Sequence, residues 1–190
     1  AAMGQSASNE SRPIATLYSL DYLNIDSRYS IDQIVSALTR RPSSSLCFYG
    51  LPGTGKTALA EHIAVTLGKQ LLIKRASDLL SKWLGQSEKN IAEMFEEANA
   101  QQSILFLDEA DSFLRTREQA HKIWEVSQVN ELLQQMERFN GIFICATNLF
   151  GQIDAAALRR FAFKIAFKAM RPEQRRRMFI CEALGGDEVR

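Results

Sequence analysis

The run Gly50-Leu51-Pro52-Gly53-Thr54-Gly55-Lys56-Thr57, continued by Ala58, sets glycines, a lysine and a hydroxyl at the spacing of a loop that holds phosphate. Glycines there let backbone N–H groups wrap phosphate oxygens, Lys56 neutralises the outer phosphates, and Thr57 offers a hydroxyl to Mg²⁺. A glycine turn closing a hairpin would need a strand after Thr57, and a helical pattern follows instead. Asp108 and Glu109 end the apolar run Ile104-Leu105-Phe106-Leu107. Asp108 can hold the Mg²⁺ ion through its water shell, and Glu109 can polarise an attacking water as general base. By itself an Asp-Glu pair is more often a solvated acidic turn, but beside a phosphate loop the weighting reverses. Asn148 follows a third apolar run, Ile142 to Ala146, and Thr147. An uncharged amide there can orient the water without competing for the metal, although an isolated Asn after a strand is usually a turn residue. The combined chemistry is binding and hydrolysis of a Mg-nucleoside triphosphate.

These groups need elements that bring them to one edge. Short apolar runs at Leu46–Tyr49, Leu71–Lys74, Ile104–Leu107, Ile142–Ala146 and Phe163–Phe167 alternate with helical patterns at Lys56–Leu67, Ser87–Ala100, Lys122–Phe139 and Ala155–Arg160. The expected fold is α/β, a three-layer P-loop NTPase architecture with a five-stranded parallel sheet flanked by helices. Its ligand should lie beyond the carboxyl ends of the strands. Before it, Ser30 and Gln33 form a capping-box pattern on a helix with Ile31, Ile34, Val35 and Leu38 on one face. Residues 1–12 are small, polar and patternless and are expected to be disordered. Pro172 opens a last helix to about Leu184, before the glycine stop at Gly185 and Gly186.

Composition narrows the partners. With 23 basic and 22 acidic residues among 190, the formal charge of +1 gives no broad footprint for nucleic acid or an anionic membrane. No run approaches the length of a membrane helix. Cys47, Cys145 and Cys181 are widely spaced, the first two inside apolar runs, and read as reduced core residues of a cytoplasmic protein.

In these motifs the chain resembles the large ATPase subdomain of AAA+ proteins, AAA proper subfamily, from about Leu46 to Leu184. The segment Ala76-Ser77-Asp78-Leu79-Leu80-Ser81-Lys82-Trp83-Leu84-Gly85-Gln86-Ser87-Glu88-Lys89 is similar to the first pore loop and following helix of the katanin, spastin, fidgetin and vacuolar-sorting ATPase group. Gly50–Thr57 matches that family's Walker A loop, Asp108 and Glu109 its Walker B acids, Asn148 its sensor 1, and Leu158-Arg159-Arg160-Phe161 its arginine-finger segment. The resemblance implies ATP as the nucleotide, Mg²⁺ as cofactor, and a ring homo-oligomer, usually a hexamer. In such a ring Arg159 and Arg160 reach the γ-phosphate held by the neighbouring subunit. It also implies that Lys82, Trp83, Leu84 and Gly85 line a central pore and grip an extended polypeptide. Without the family, Arg159 and Arg160 read as a solvated helix end, and Trp83 as a residue packed on its own domain.

The chain departs from the family pattern in places. Leu51 replaces a usual proline and Glu137 a usual aspartate, and in the second pore-loop region, Arg115 to Glu125, only Arg117 matches. The segment that contacts adenine is not evident, with Tyr22, Leu23, Asn24 and Ile25 as weak candidates. The resemblance divides the chain into a large subdomain over 13–170 and, over 171–190, the start of a small helical lid that is absent or truncated. Three functions share these residues: a motor that threads protein substrates, a loader acting on nucleic acid, and an ATP-gated scaffold with little turnover. The near-neutral charge and the Trp83 loop weigh against the second, and the presence of Glu109 against the third.

Overall fold

The computed structural model describes residues 20–81, 83, 85–114, 123–149, 153 and 155–183. The expectations for 1–12, Lys82, Leu84, 115–122 with Arg117, and the Gly185-Gly186 stop lie outside these residues. After a 3-10 turn at Leu20–Tyr22, the elements are β1 (Asn24–Ser27), α1 (Ile31–Arg40), β2 (Ser44–Gly50), α2 (Lys56–Thr66), β3 (Leu71–Arg75), α3 (Ala76–Leu79) and α4 (Gln86–Ala100). They continue with β4 (Ile104–Asp108), α5 (Asp111–Leu114), α6 (Ile123–Arg138), β5 (Ile142–Thr147), α7 (Ala155–Arg160), β6 (Phe163–Lys168) and α8 (Pro172–Ala183).

The strands form one sheet in the order β1-β6-β2-β5-β4-β3. Every neighbouring pair is parallel except β1 with β6. The expected parallel strands are all present, each with a boundary shifted by two residues or fewer, but the sheet has six strands and not five. The added strand is Asn-Ile-Asp-Ser, four residues long, without the β-branched or aromatic run that marks a strand in sequence. It forms because β6 offers a free edge. Asn24 to Ser27 pair with Lys168 back to Ile165, and Asp26 meets Lys168 at 2.7 Å.

Alternation in the strands sorts side chains into two cores, one on each face of the sheet. Leu46, Phe48, Ile104, Phe106, Ile142 and Ile144 pack with Ile34 and Leu38 of α1 and Leu59 and Ile63 of α2. Cys47, Leu105, Leu107, Phe143 and Cys145 pack with Ile91 and Phe95 of α4 and Leu132 and Met136 of α6. Both faces being covered, the middle strands are apolar throughout, and polar groups are confined to their ends. Ser30 starts α1 with the expected reciprocal cap: its hydroxyl accepts the Gln33 N–H at 3.2 Å, and its own N–H donates to Gln33 Oε1 at 3.0 Å.

Candidate active site

Three adjacent strand ends carry the phosphate loop, the acids and the amide: Gly50 on β2, Asp108 on β4, and Thr147 with Asn148 on β5. Gly50 has φ 144°, and a Cβ there would lie 2.0 Å from the Phe167 carbonyl oxygen, so only glycine lets β2 end against β6. Gly53 and Gly55 take left-handed φ values of 74° and 95°, with open space above Gly53. Thr54 Oγ1 fastens the loop by donating to the Leu51 carbonyl at 2.7 Å. The first amides of α2 have no partner within the helix, so they face whatever the loop surrounds.

Lys56 is only 8% exposed, and all three ammonium protons are used. Its Nζ donates to Gly50 O at 2.7 Å, Leu51 O at 2.9 Å and Asn148 Oδ1 at 2.9 Å. Burial lowers its pKa, and the negative charges of Asp108 and Asp111 oppose that shift. The lysine therefore joins two of the strand ends directly. Left-handed glycines, free helix amides and a buried ammonium fit a polyphosphate. The oxygens of Thr57 and Asp108 fit a hard cation shared with it. Among the described residues no group of three or more His, Cys, Asp or Glu is placed to hold a metal ion.

Glu109 is exposed and has φ 52°, a left-handed backbone rare for a residue with a side chain; its N–H donates to Asp108 Oδ1 at 2.9 Å. The turn continues with Ala110 N–H donating to Ala146 O at 2.9 Å, which ties the acid segment to β5. Asp111 had no role in the sequence reading. One oxygen of its carboxylate accepts both the hydroxyl of buried Thr147 and, at 3.0 Å, the N–H of Asn148. Thr147 Oγ1 in turn accepts the Leu149 N–H at 3.1 Å. Asp111 thus sets the backbone that carries the Asn148 amide. The signal was present as a third acid in Asp108-Glu109-Ala110-Asp111, but a carboxylate that orients another residue has no spacing rule of its own.

The remaining predicted residues stand elsewhere. Arg159 and Arg160 end α7, both exposed, and Arg160 Nε donates to Glu137 Oε1. Ser45 donates to the Arg160 carbonyl at 2.6 Å and accepts, through its own carbonyl, the Ala162 N–H at 2.9 Å. Ser45 is near the amino end of β2, so the arginines sit at the opposite edge of the sheet from Lys56. Trp83 is 81% exposed, against the possibility that it packs on its own domain. Its loop is anchored on both sides: Ser81 N–H donates to the hydroxyl of buried Ser87 at 2.8 Å, and Asn90 Nδ2 to Leu79 O at 3.1 Å. Gly85, at φ 76°, turns the chain into α4. Cys47 and Cys145 are free, buried, paired in register, and face one core. Burial pushes the Cys47 thiol up to about 12 and Cys145 well above its ordinary range, so both remain protonated core groups.

Residues 46–169 match the family described as ATPase family associated with various cellular activities (AAA). The chain is 35% identical over 147 residues to protein SUPPRESSOR OF K(+) TRANSPORT GROWTH DEFECT 1 of Arabidopsis thaliana, covering 74% of this chain and 34% of that protein. It is 34% identical over 146 residues to vacuolar protein sorting-associated protein 4 of Dictyostelium discoideum, covering 74% and 33%. A spastin homolog of Caenorhabditis elegans is 38% identical over 148 residues, covering 73% and 28%. The chain therefore spans about a third or less of the length of these curated relatives.

Proposed function

This chain belongs to the AAA family of ATPases and carries that family's ATPase domain, and from that premise we propose that it binds and hydrolyses Mg-ATP to drive the remodelling of protein substrates. The observation that carries the proposal is the meeting of Lys56 with Gly50 O, Leu51 O and Asn148 Oδ1 beside the Asp108 strand end. The backbone N–H groups of Gly53–Ala58 hold the outer phosphates together with the Lys56 ammonium, which exchanges one of its three present hydrogen bonds for a phosphate oxygen. Thr57 and Asp108 would hold Mg²⁺, partly through water, where the ion neutralises charge on the phosphate oxygens. Glu109 accepts a proton from the attacking water, and Asn148 orients that water.

The wider reading is a ring homo-oligomer, a hexamer, that threads polypeptide through a central pore. Arg159 and Arg160 complete the neighbouring subunit's site, and Lys82, Trp83, Leu84 and Gly85 grip the substrate. Support comes from Trp83, 81% exposed on a loop whose base, Leu79 and Ser81, is hydrogen-bonded to Asn90 and Ser87 of α4, an arrangement suited to pressing a rigid aromatic surface on another chain. Among the described residues no helix is long and apolar enough to cross a membrane.

Two substitutions test these layers. Glu109→Gln should bind ATP with unchanged affinity while single-turnover hydrolysis falls by about 10²-fold or more; wild-type turnover would remove Glu109 from the chemistry. Trp83→Ala should lose the stimulation of ATP turnover by an unfolded polypeptide. Unfolding of a tagged substrate at the wild-type rate by that variant would refute threading.

A further inference from the structure

Gln174, in the first turn of α8, is half-buried and uses its whole carboxamide. Its Oε1 accepts the N–H of Arg171 at 2.9 Å, capping its own helix, while Nε2 donates to the carbonyls of Asp21 at 2.8 Å and Leu23 at 3.0 Å. Leu23 lies 151 residues away in the chain. Its side chain is buried, and its N–H closes the 3-10 turn onto Leu20 O at 3.0 Å. Asn24 adds a second stitch, donating to Ala169 O at 2.7 Å. The segment Leu20–Asn24 and the segment Ala169–Gln174 therefore form one seam beyond the end of β6.

That seam borders the phosphate loop on a defined side. Gly50 pairs with Phe167, two residues before Ala169. Asp108, Glu109 and Asn148 stand on the other side of the loop, on β4 and β5. A nucleotide whose terminal phosphate faces those groups, with its phosphate chain on the loop, carries its ribose and base away from them. The direction left is toward β6 and the seam.

We propose that Gln174 is a positioning residue for the nucleoside end of the nucleotide: by fixing the Asp21 and Leu23 carbonyls to the start of α8, it holds the wall on which ribose and base rest. It touches no reacting atom and acts through the Leu20–Leu23 turn, so nucleotide occupancy and the setting of α8 are linked. The inference rests on the reading of Gly50–Thr57 as a triphosphate loop.

Gln174→Glu separates the two jobs of this side chain, because a carboxylate still caps Arg171 N–H but has no proton to give the two carbonyls. Binding of ATP and of inorganic tripolyphosphate to the whole chain is the measurement. The variant should lose about tenfold in ATP affinity, the scale of one or two lost hydrogen bonds, with tripolyphosphate affinity unchanged. Asn24→Ala, which removes the second stitch, should show the same split more weakly, and Gln174→Asn should fail to restore ATP affinity because its amide is one carbon short. Equal loss for both ligands, or wild-type ATP affinity in Gln174→Glu with Asn24→Ala also silent, overturns the role of Gln174. If Lys56→Ala leaves tripolyphosphate binding intact, it is the phosphate-loop reading that fails.

Discussion

Asp111 holds two consecutive residues beside the phosphate loop through one carboxylate oxygen. Its Oδ1 takes a hydroxyl hydrogen bond from Thr147, 1% exposed, and the N–H of Asn148, so one atom fixes both the buried support and the amide above it. Lys56 meets Asn148 Oδ1 from the other side, and Asp111 lies near enough to act on the lysine's charge. Asp111→Ala should leave the Thr147 hydroxyl without its acceptor, costing about 1–3 kcal/mol of stability, and release Asn148, lowering single-turnover hydrolysis by about 10²-fold. Asp111→Asn keeps an oxygen in the same place and should stay within a few-fold of wild type. Denaturant melts read the first effect and rapid-quench hydrolysis the second. If the Asn variant is as inactive as the Ala variant, the negative charge matters and positioning does not.

At the scale of elements, the phosphate loop is held by the approach of β2 to β6. A Cβ on Gly50 would meet the Phe167 carbonyl oxygen at 2.0 Å, whereas at Gly53 it would meet nothing within 4 Å. Gly50→Ala must therefore push two paired strands apart, and a loss of about 3 kcal/mol or more is expected in urea unfolding. Gly53→Ala carries only the left-handed backbone cost of about 1 kcal/mol. Equal losses would mean that loop conformation, and not strand contact, selects glycine at both positions. This contrast also marks what the sequence made legible. The phosphate-loop spacing, the strand-end acids and the five parallel strands were readable because each rests on a local rule: glycine spacing, apolar runs buried on both faces, helix periodicity. β1 was not, since a short polar strand is set by the edge it finds on β6. Asp111 and Gln174 were not, because their partners lie 36 to 153 residues away and no periodicity reports such a meeting.

For the molecule as a whole, the decisive relation is that the phosphate loop and the two arginines occupy opposite edges of one sheet. Arg160 is anchored through its carbonyl to Ser45 and through its guanidinium to Glu137, and Ser45 lies five residues before Gly50 on β2, about 16 Å at the rise of a strand. No side chain covers that distance, so in the proposed ring Arg159 and Arg160 would act on the ATP of another copy and not on that of their own loop. Two inactive variants then become active together. Arg159→Ala/Arg160→Ala keeps its own phosphate loop and lacks only what it should give its neighbour; Lys56→Ala is the reverse. The arginine variant alone should be slower than wild type by about 10³-fold, the lower end for a trans arginine in other nucleotide hydrolases, and Lys56→Ala alone should also be slower than wild type. Mixed in equal amounts with free exchange of subunits in a closed ring, about a quarter of adjacent pairs set an intact loop beside intact arginines. Turnover of the mixture should approach that fraction of wild type, rise with total protein concentration, and vanish when the two proteins are kept below the concentration at which they associate. A mixture no faster than its components, under conditions where light scattering shows mixed rings, would assign Arg159 and Arg160 to holding α7 against Glu137 and β2, and leave the arginine for the neighbouring site to be sought on another element.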